Sequence, residues 1–253
     1  MQDPQIHYRL DGDPGNPVLV LSNSLGASLS VWDAQVEAFS RKFRVLRYDA
    51  RGHGQSSNPP GPYSMEAFGH DLLDLLDELD IDTFCFCGLS MGGMLGLWLG
   101  IYSPSRIRKL VLCNTAPRIG VTEAWNERIV EVLQNGVKSI SEGTLGRWLT
   151  PQFRSSHPEI AAKVQNMLNS ADRAGYAAAC AAVRDTDLTE SVSRICVPTL
   201  IVAGAHDPVT PPEEGKQMAA KIAGAQYVEL NAAHLSNVEA ADEFTAAVLK
   251  FLE

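Results

Sequence analysis

The chain of 253 residues lacks the marks of several protein classes. Basic residues are not in excess: 30 Asp and Glu outnumber 21 Lys and Arg, for a net charge of -9. A nucleic-acid surface needs a basic stripe, so no nucleic-acid partner is expected. The same charge offers no long-range attraction to an anionic substrate, which would need a local cation. Long apolar runs are also missing. The longest, Met91 to Tyr102, is interrupted by Gly92, Gly93, Gly96 and Gly100, and it is well short of the ~20 residues that span a bilayer. The first twenty residues contain Asp3, Arg9, Asp11 and Asp13 and no apolar core of a secretory signal. No membrane partner and a cytoplasmic location are therefore expected. Cys85, Cys87, Cys113, Cys180 and Cys196 form no C-x-x-C pair and no metal-ligand spacing. They read as buried small apolar residues, and neither a metal nor an organic cofactor is expected. Internal repeats and low-complexity tracts are absent.

What is present is a regular alternation. Short apolar runs recur at Ile6–Leu10, Val18–Ser22, Phe43–Tyr48, Phe84–Cys87, Leu110–Cys113, Thr199–Ala203 and Tyr227–Leu230. Several are apolar at nearly every position, the pattern of strands buried on both faces of a mostly parallel sheet. Helical patterns separate them. Ser30 is a candidate cap for a helix facing inward through Val31, Trp32, Val36 and Phe39. Ser64 precedes Phe68, Leu72, Leu75, Leu76 and Leu79 at helical spacing. Thr210-Pro-Pro-Glu213 and Ser236-Asn-Val-Glu239 read as capping boxes, the second opening a helix that buries Val238, Ala241, Val248 and Phe251. Strands alternating with helices predict an α/β fold, a mostly parallel central sheet flanked by helices.

One interval breaks the rhythm. More than eighty residues separate Asn114 from Thr199 with no strand-like run between them. They read as several short helices, broken at Gly136, Gly143, Pro151, Pro158 and Gly175. The expected organisation is a core of residues 1–117 and 196–253, with residues 118–195 inserted after the strand near 110–114 as a helical cap over one end of the sheet.

Gly88-Leu-Ser90-Met-Gly92 carries the chemistry. As a bare pattern it is weak, since this composition would supply roughly 0.1 copies by chance. Its setting is what counts: a buried strand precedes it and a helix candidate, Met94 to Tyr102, follows. Strand, tight turn and helix make a nucleophile elbow, which exposes a serine hydroxyl and aims a helix N-terminus at any oxyanion formed there. A serine hydroxyl needs a base. Among six histidines, only His234 lies between the final strand and the final helix. Asp207, after the strand Thr199–Ala203, suits the third role of orienting the imidazole. Asp185 and Asp187 are weaker rivals within the cap, and His206 reads as loop structure. The oxyanion donors are expected to be the backbone N–H groups of Met91 and of Leu25, in Asn23-Ser-Leu-Gly26. Ser24 in the same loop is a candidate substrate contact. His53, in Asp49-Ala-Arg-Gly-His-Gly54, is tempting as a base, but its glycine neighbours suit a structural turn better.

These residues resemble a known family. Leu89-Ser-Met-Gly-Gly93, Tyr48-Asp-Ala-Arg-Gly-His-Gly54, Pro104-Ser-Arg-Ile-Arg-Lys-Leu-Val-Leu112 and Ala203-Gly-Ala-His-Asp-Pro208 are similar to α/β-hydrolases along the whole chain. The order Ser90, Asp207, His234 is the order of that fold. Leu21-Ser-Asn-Ser-Leu-Gly26, Phe86-Cys-Gly-Leu-Ser-Met-Gly-Gly93, Arg147-Trp-Leu-Thr-Pro-Gln-Phe153 and Ala233-His-Leu-Ser-Asn237 resemble one branch, the 3-oxoadipate enol-lactonases of the β-ketoadipate pathway. Asn23-Ser24 stands where the superfamily commonly has His-Gly, and enol-lactonases look similar there. The resemblance implies hydrolysis of a small anionic lactone, 3-oxoadipate enol-lactone, in bacterial degradation of aromatic compounds.

The substrate so implied carries a free carboxylate. Arg147, beside Trp148 in the cap, is the candidate clamp, and Trp125 and Trp148 are candidates to line the pocket. A general carboxylesterase or another lactonase on the same triad is the alternative, and a cofactor-free haloperoxidase-like side reaction stays open. Haloalkane dehalogenases and epoxide hydrolases are disfavoured, because those relatives place an aspartate where this chain has Ser90. A ligand receptor on a hydrolase scaffold is the alternative from another class.

Overall fold

The computed structural model describes residues 4–253. The strands are β1 (Tyr8–Asp11), β2 (Val18–Ser22), β3 (Arg44–Tyr48), β4 (Phe84–Leu89), β5 (Ile107–Cys113), β6 (Thr199–Gly204) and β7 (Gln226–Leu230). Each overlaps one of the seven apolar runs. They form one sheet in the order β1-β3-β2-β4-β5-β6-β7. Only β1 is antiparallel, pairing with β3, and the other neighbours run parallel. The central strands explain their own composition: β4 and β6 are buried at every position, as strands covered by helices on both faces must be.

Helices α1 (Asp33–Ser40), α2 (Met65–Glu78) and α3 (Met91–Tyr102) connect the first half of the sheet. Ser64, just before the helical pattern, caps α2, accepting a hydrogen bond from Ala67 N–H at 3.1 Å. Ser30 does not cap. It lies within a 3₁₀ turn, Leu29–Trp32, and its hydroxyl pairs with that of Ser28. Val36 is only half-buried there, and Gln35 takes the interior position. α3 is buried almost all round, which explains its unbroken apolar character.

Between β5 and β6 lie five helices: α4 (Thr122–Asn135), α5 (Lys138–Trp148), α6 (Pro151–Ser156), α7 (Pro158–Asn169) and α8 (Arg173–Asp185). Gly136 ends α4 with a φ of 79°, and Pro151 and Pro158 open α6 and α7. Gly143 and Gly175 are not breaks. They sit inside α5 and α8. At Gly175 the helix passes so close to Gly52 that an added Cβ would lie 2.4 Å from the Gly52 carbonyl oxygen, so packing rather than a turn requires the glycine.

The chain ends with α9 (Pro212–Lys221), α10 (Ser236–Glu239) and α11 (Ala241–Leu252). Neither expected capping box forms. Thr210 lies outside α9 and gives its hydroxyl to Asp207. Ser236 gives its hydroxyl to Asn114, and the backbone breaks at Ala240 before α11 starts. The apolar face of α11 is Phe244, Val248 and Leu252. Both serine-type caps were diverted because a buried polar group had a stronger claim on the hydroxyl. Four cysteines are buried as expected, but Cys196 is exposed. Among the described residues no helix is long and apolar enough to cross a membrane.

Candidate active site

Ser90, Asn114, Asp207 and His234 all follow carboxyl ends of parallel strands, where open α/β sheets place their sites. Ser90 comes directly after β4. Its backbone is held at φ 57° and ψ -112°, a conformation that costs of order 1–3 kcal/mol and persists only where its surroundings enforce it. They do so here. Ser90 N–H donates to Cys113 O at 2.9 Å, and Thr115 Oγ1 donates to Ser90 O at 2.8 Å. The two glycines of the motif are set by close approach: a Cβ on Gly88 would lie 2.1 Å from Gly92 O, and one on Gly92 would lie 2.4 Å from Ser22 O. No side chain fits at either place.

The Ser90 hydroxyl is 2.9 Å from His234 Nε2, and His234 Nδ1 is 2.8 Å from Asp207 Oδ2. All three side chains are buried. Asp207 is held from every side: Oδ1 accepts from Val209 and Thr210 N–H, and Oδ2 accepts from Asn114 Nδ2 and Thr210 Oγ1 as well as from His234. Burial by itself would raise this carboxyl. Electrostatic attraction to His234, then hydrogen bonds from His234, Asn114 and Thr210, outweigh it and hold the group below the usual carboxylate range. Asp207 is therefore a carboxylate at neutral pH. The rivals lie elsewhere: Asp185 pairs with Arg184, and Asp187 lies near Arg118. His206 is exposed and bonds Asn231, a loop contact.

Leu25 and Met91 line the cleft that Ser90 and His234 open into. Among the described residues neither N–H is bonded to another protein group. The loop carrying Leu25 is tied to the elbow, because Gly92 N–H donates to Asn23 O at 3.0 Å. Asn23 is itself fixed, its amide donating to Tyr48 O and accepting from Trp32 Nε1. A short amide thus anchors this loop.

The family model for the alpha/beta hydrolase fold matches residues 17–241. The chain belongs to the α/β-hydrolase family. It is 40% identical to 3-oxoadipate enol-lactonase 2 of Acinetobacter baylyi over 247 residues, 98% of this chain and 92% of that protein. Among solved structures it is similar to the enol-lactonase from Burkholderia xenovorans LB400, at 45% identity and a TM-score of 0.96, covering 98% of this chain and 96% of that one. A hydrolase from Pseudomonas aeruginosa PA01 is 49% identical, with a TM-score of 0.95 and coverage of 98% and 94%.

In this α/β-hydrolase residues of α4, α5 and α8 line the cleft that holds Ser90 and His234. Ser24, Trp125, Arg147 and Trp148 line the same cleft as Ser90, so every sequence-nominated contact is brought to one place. Sequence reasoning missed Arg128 and Tyr176, which also line it. Arg128 lies in the helical stretch Asn126-Glu-Arg-Ile129, where it reads as an ordinary surface charge. In the fold its guanidinium lies over the Trp125 ring, 5.8 Å from the centroid, and donates to Thr144 Oγ1 at 2.8 Å. Arg147 reaches the same hydroxyl at 3.3 Å. Burial, and then the like charge of Arg128, push the Arg147 guanidinium below its ordinary value. Among the described residues neither arginine has a carboxylate within ion-pair distance. Among them too, no three His, Cys, Asp or Glu side chains are grouped to share a metal ion.

Proposed function

We propose that this α/β-hydrolase hydrolyses 3-oxoadipate enol-lactone to 3-oxoadipate through an acyl-enzyme on Ser90, within aromatic-compound catabolism. The observation that carries the reading is the pairing, in one cleft, of the Ser90–His234–Asp207 chain with two half-buried arginines that lack an acidic partner among the described residues. An acyl-transfer site needs the first, and a small anionic lactone needs the second. The relatedness to enol-lactonases supports the choice of lactone over other esters.

In the proposed mechanism Ser90 Oγ attacks the lactone carbonyl as His234 Nε2 takes its proton, and Asp207 stabilises the imidazolium. The carbonyl oxygen becomes an oxyanion, received by Leu25 and Met91 N–H. Collapse of this intermediate breaks the ring C–O bond. The released enolate oxygen takes up the proton held on His234 Nε2, which returns the imidazole to its neutral form, and the resulting enol tautomerises to the ketone, still tethered to the acyl chain. Water, deprotonated by His234, then attacks the Ser90 ester, and its cleavage returns the proton to Ser90. An enolate leaves more readily than an alkoxide, so proton donation by His234 matters less to ring opening than in an alkyl esterase. A strongly rate-limiting leaving-group protonation, read from solvent isotope effects across pH, would count against that step.

Residues 118–195 act in this reading as the cap. Arg128 and Arg147 bind the substrate carboxylate, Trp125 and Trp148 wall the pocket, and Ser24 contacts the bound lactone. The same two arginines and Trp125 also line an adjoining surface depression with Gly120, Ala124 and Pro208, which serves as the entry route. The test is steady-state turnover of the enol-lactone against neutral p-nitrophenyl esters. A kcat/KM for the enol-lactone exceeding that for every neutral ester supports the assignment. The reverse order would favour a general esterase.

A further inference from the structure

The turn Asp49-Ala-Arg-Gly-His-Gly54 follows β3 and takes no part in the chain from Asp207 to Ser90. It nevertheless grips the loop that carries Leu25. Three bonds run from this end of β3 to residues 23–29. Asn23 Nδ2 donates to Tyr48 O at 2.8 Å, Gly26 N–H donates to His53 Nε2 at 3.0 Å, and Leu29 N–H donates to Asp49 Oδ1 at 2.7 Å. The middle bond is the only one of these three made by an imidazole, and it falls on the peptide joining Leu25 to Gly26.

We infer that His53 is a positioning residue for the oxyanion loop, its bare Nε2 fixing the Leu25–Gly26 peptide and thereby the Leu25 N–H. Because Nε2 accepts from a backbone N–H, the ring proton must sit on Nδ1, which faces Arg51 O at 3.1 Å. His53 is 3% exposed. Burial lowers its pKa, against opposing effects of the Arg51 carbonyl and Asp49, so the ring is neutral at neutral pH. The loop's other ties fall to either side of this peptide, at Asn23 and at Leu29. Ser24 O closes a turn with Ala27 N–H at 3.0 Å, and Gly26 has a φ of 78°. Its outer side is packed by Tyr176 and Leu168, apolar contacts that fill space but accept no N–H from Gly26. Without His53 the peptide would lose its buried acceptor, and a donor shifted by ~1 Å can cost up to about a hundredfold in rate.

The inference rests on the serine mechanism and on Leu25 as an oxyanion donor. It is tested by comparing His53→Asn with His53→Gln. Asparagine keeps an N–H for Arg51 O but is too short to reach Gly26; glutamine can place its amide oxygen near the Nε2 position. With the enol-lactone, His53→Asn should lower kcat by about 10- to 100-fold, with KM changed by no more than about twofold. His53→Gln should recover to within about threefold of wild type. Affinity for a trifluoromethyl ketone, whose Ser90 adduct carries the oxyanion, should fall in step with kcat for Asn and not for Gln. Equal kcat values in the two folded variants would overturn the role. On the wild-type enzyme, imidazole nitrogen NMR should find His53 protonated on Nδ1 only. The opposite tautomer would overturn the inference whether or not the variants fold. Ser90→Ala separates the two levels: an active Ser90→Ala enzyme brings down the mechanism and this inference together. An inactive one beside equal Asn and Gln variants removes only the role of His53.

Discussion

Asn114 donates one amide group to two loops, reaching Asp207 Oδ2 at 3.0 Å and Ala233 O at 3.2 Å. Its own oxygen accepts from Ser236 Oγ at 2.5 Å. One buried side chain at the end of β5, with its backbone at a φ of 44°, therefore binds the carboxylate of the proposed triad to the residue preceding its histidine. The backbones are stitched in parallel, with His206 N–H donating to Ala232 O.

Asn114→Ala should thus act on both stability and rate. It leaves a buried carboxylate oxygen and a buried hydroxyl short of a partner, at a cost of about 1–3 kcal/mol. Freedom of Asp207 and His234 should also lower kcat, by about tenfold or more. Urea unfolding and steady-state kinetics on the same preparation would check this. Unchanged kcat in a destabilised variant would confine Asn114 to a structural role.

Glu239 joins the proposed cap to the histidine loop. Its carboxylate accepts from Ala233 N–H at 3.0 Å, from Thr150 N–H at 3.1 Å and from the Thr150 hydroxyl. Leu235 N–H donates to Trp148 O beside it. Glu239→Ala should strand these donors, lower stability by about 1–3 kcal/mol, and speed amide exchange around Thr150 and Ala233. Exchange left unaltered at those amides would rule out this link.

The arginines should separate charge from chemistry. Arg128→Ala and Arg147→Ala should each raise KM for the enol-lactone by about 10- to 100-fold, as loss of a charge-assisted hydrogen bond does. Turnover of p-nitrophenyl acetate, which has no carboxylate, should stay within about threefold of wild type. An equal effect on both substrates would mean that the arginines shape the pocket and do not bind the carboxylate.

Stability should fall on the acid side for a specific reason. Burial holds the folded pKa of His53 below the ordinary histidine value of 6.5. Between these two values the unfolded chain binds the proton and the folded chain does not. Stability from this group is complete above the unfolded pKa and is lost as pH falls through the window to the folded pKa. Asp207, whose folded pKa is depressed below 3.8, adds a further loss with the same sign at lower pH. Urea unfolding at pH 7.5 and 5.5 should show a larger decrease for wild type than for His53→Gln. Equal decreases would contradict the assignment.

The sheet was legible because burial on two faces forces apolar runs, and each of the seven runs overlaps a strand. Ser90, Asp207 and His234 were legible because each follows a strand at the same sheet edge. The caps at Thr210 and Ser236 misled for one reason: a capping pattern is local, whereas their hydroxyls are taken by Asp207 and Asn114 across the fold. Arg128 was hidden likewise. Nothing local distinguishes it from its exposed neighbour Glu127 until α4 folds over the cleft. In the sequence His53 suits a structural turn, and its tie to Gly26 is a contact across 27 positions that no motif announces.

The central claim is that Ser90 attacks an ester carbonyl, and the most direct measurement is turnover of 3-oxoadipate enol-lactone by wild type and Ser90→Ala. The account predicts a fall in kcat of at least about 10³-fold in a variant that keeps its fold, with a small excess over the uncatalysed rate surviving from binding and the oxyanion donors. Near-wild-type turnover by Ser90→Ala would contradict it.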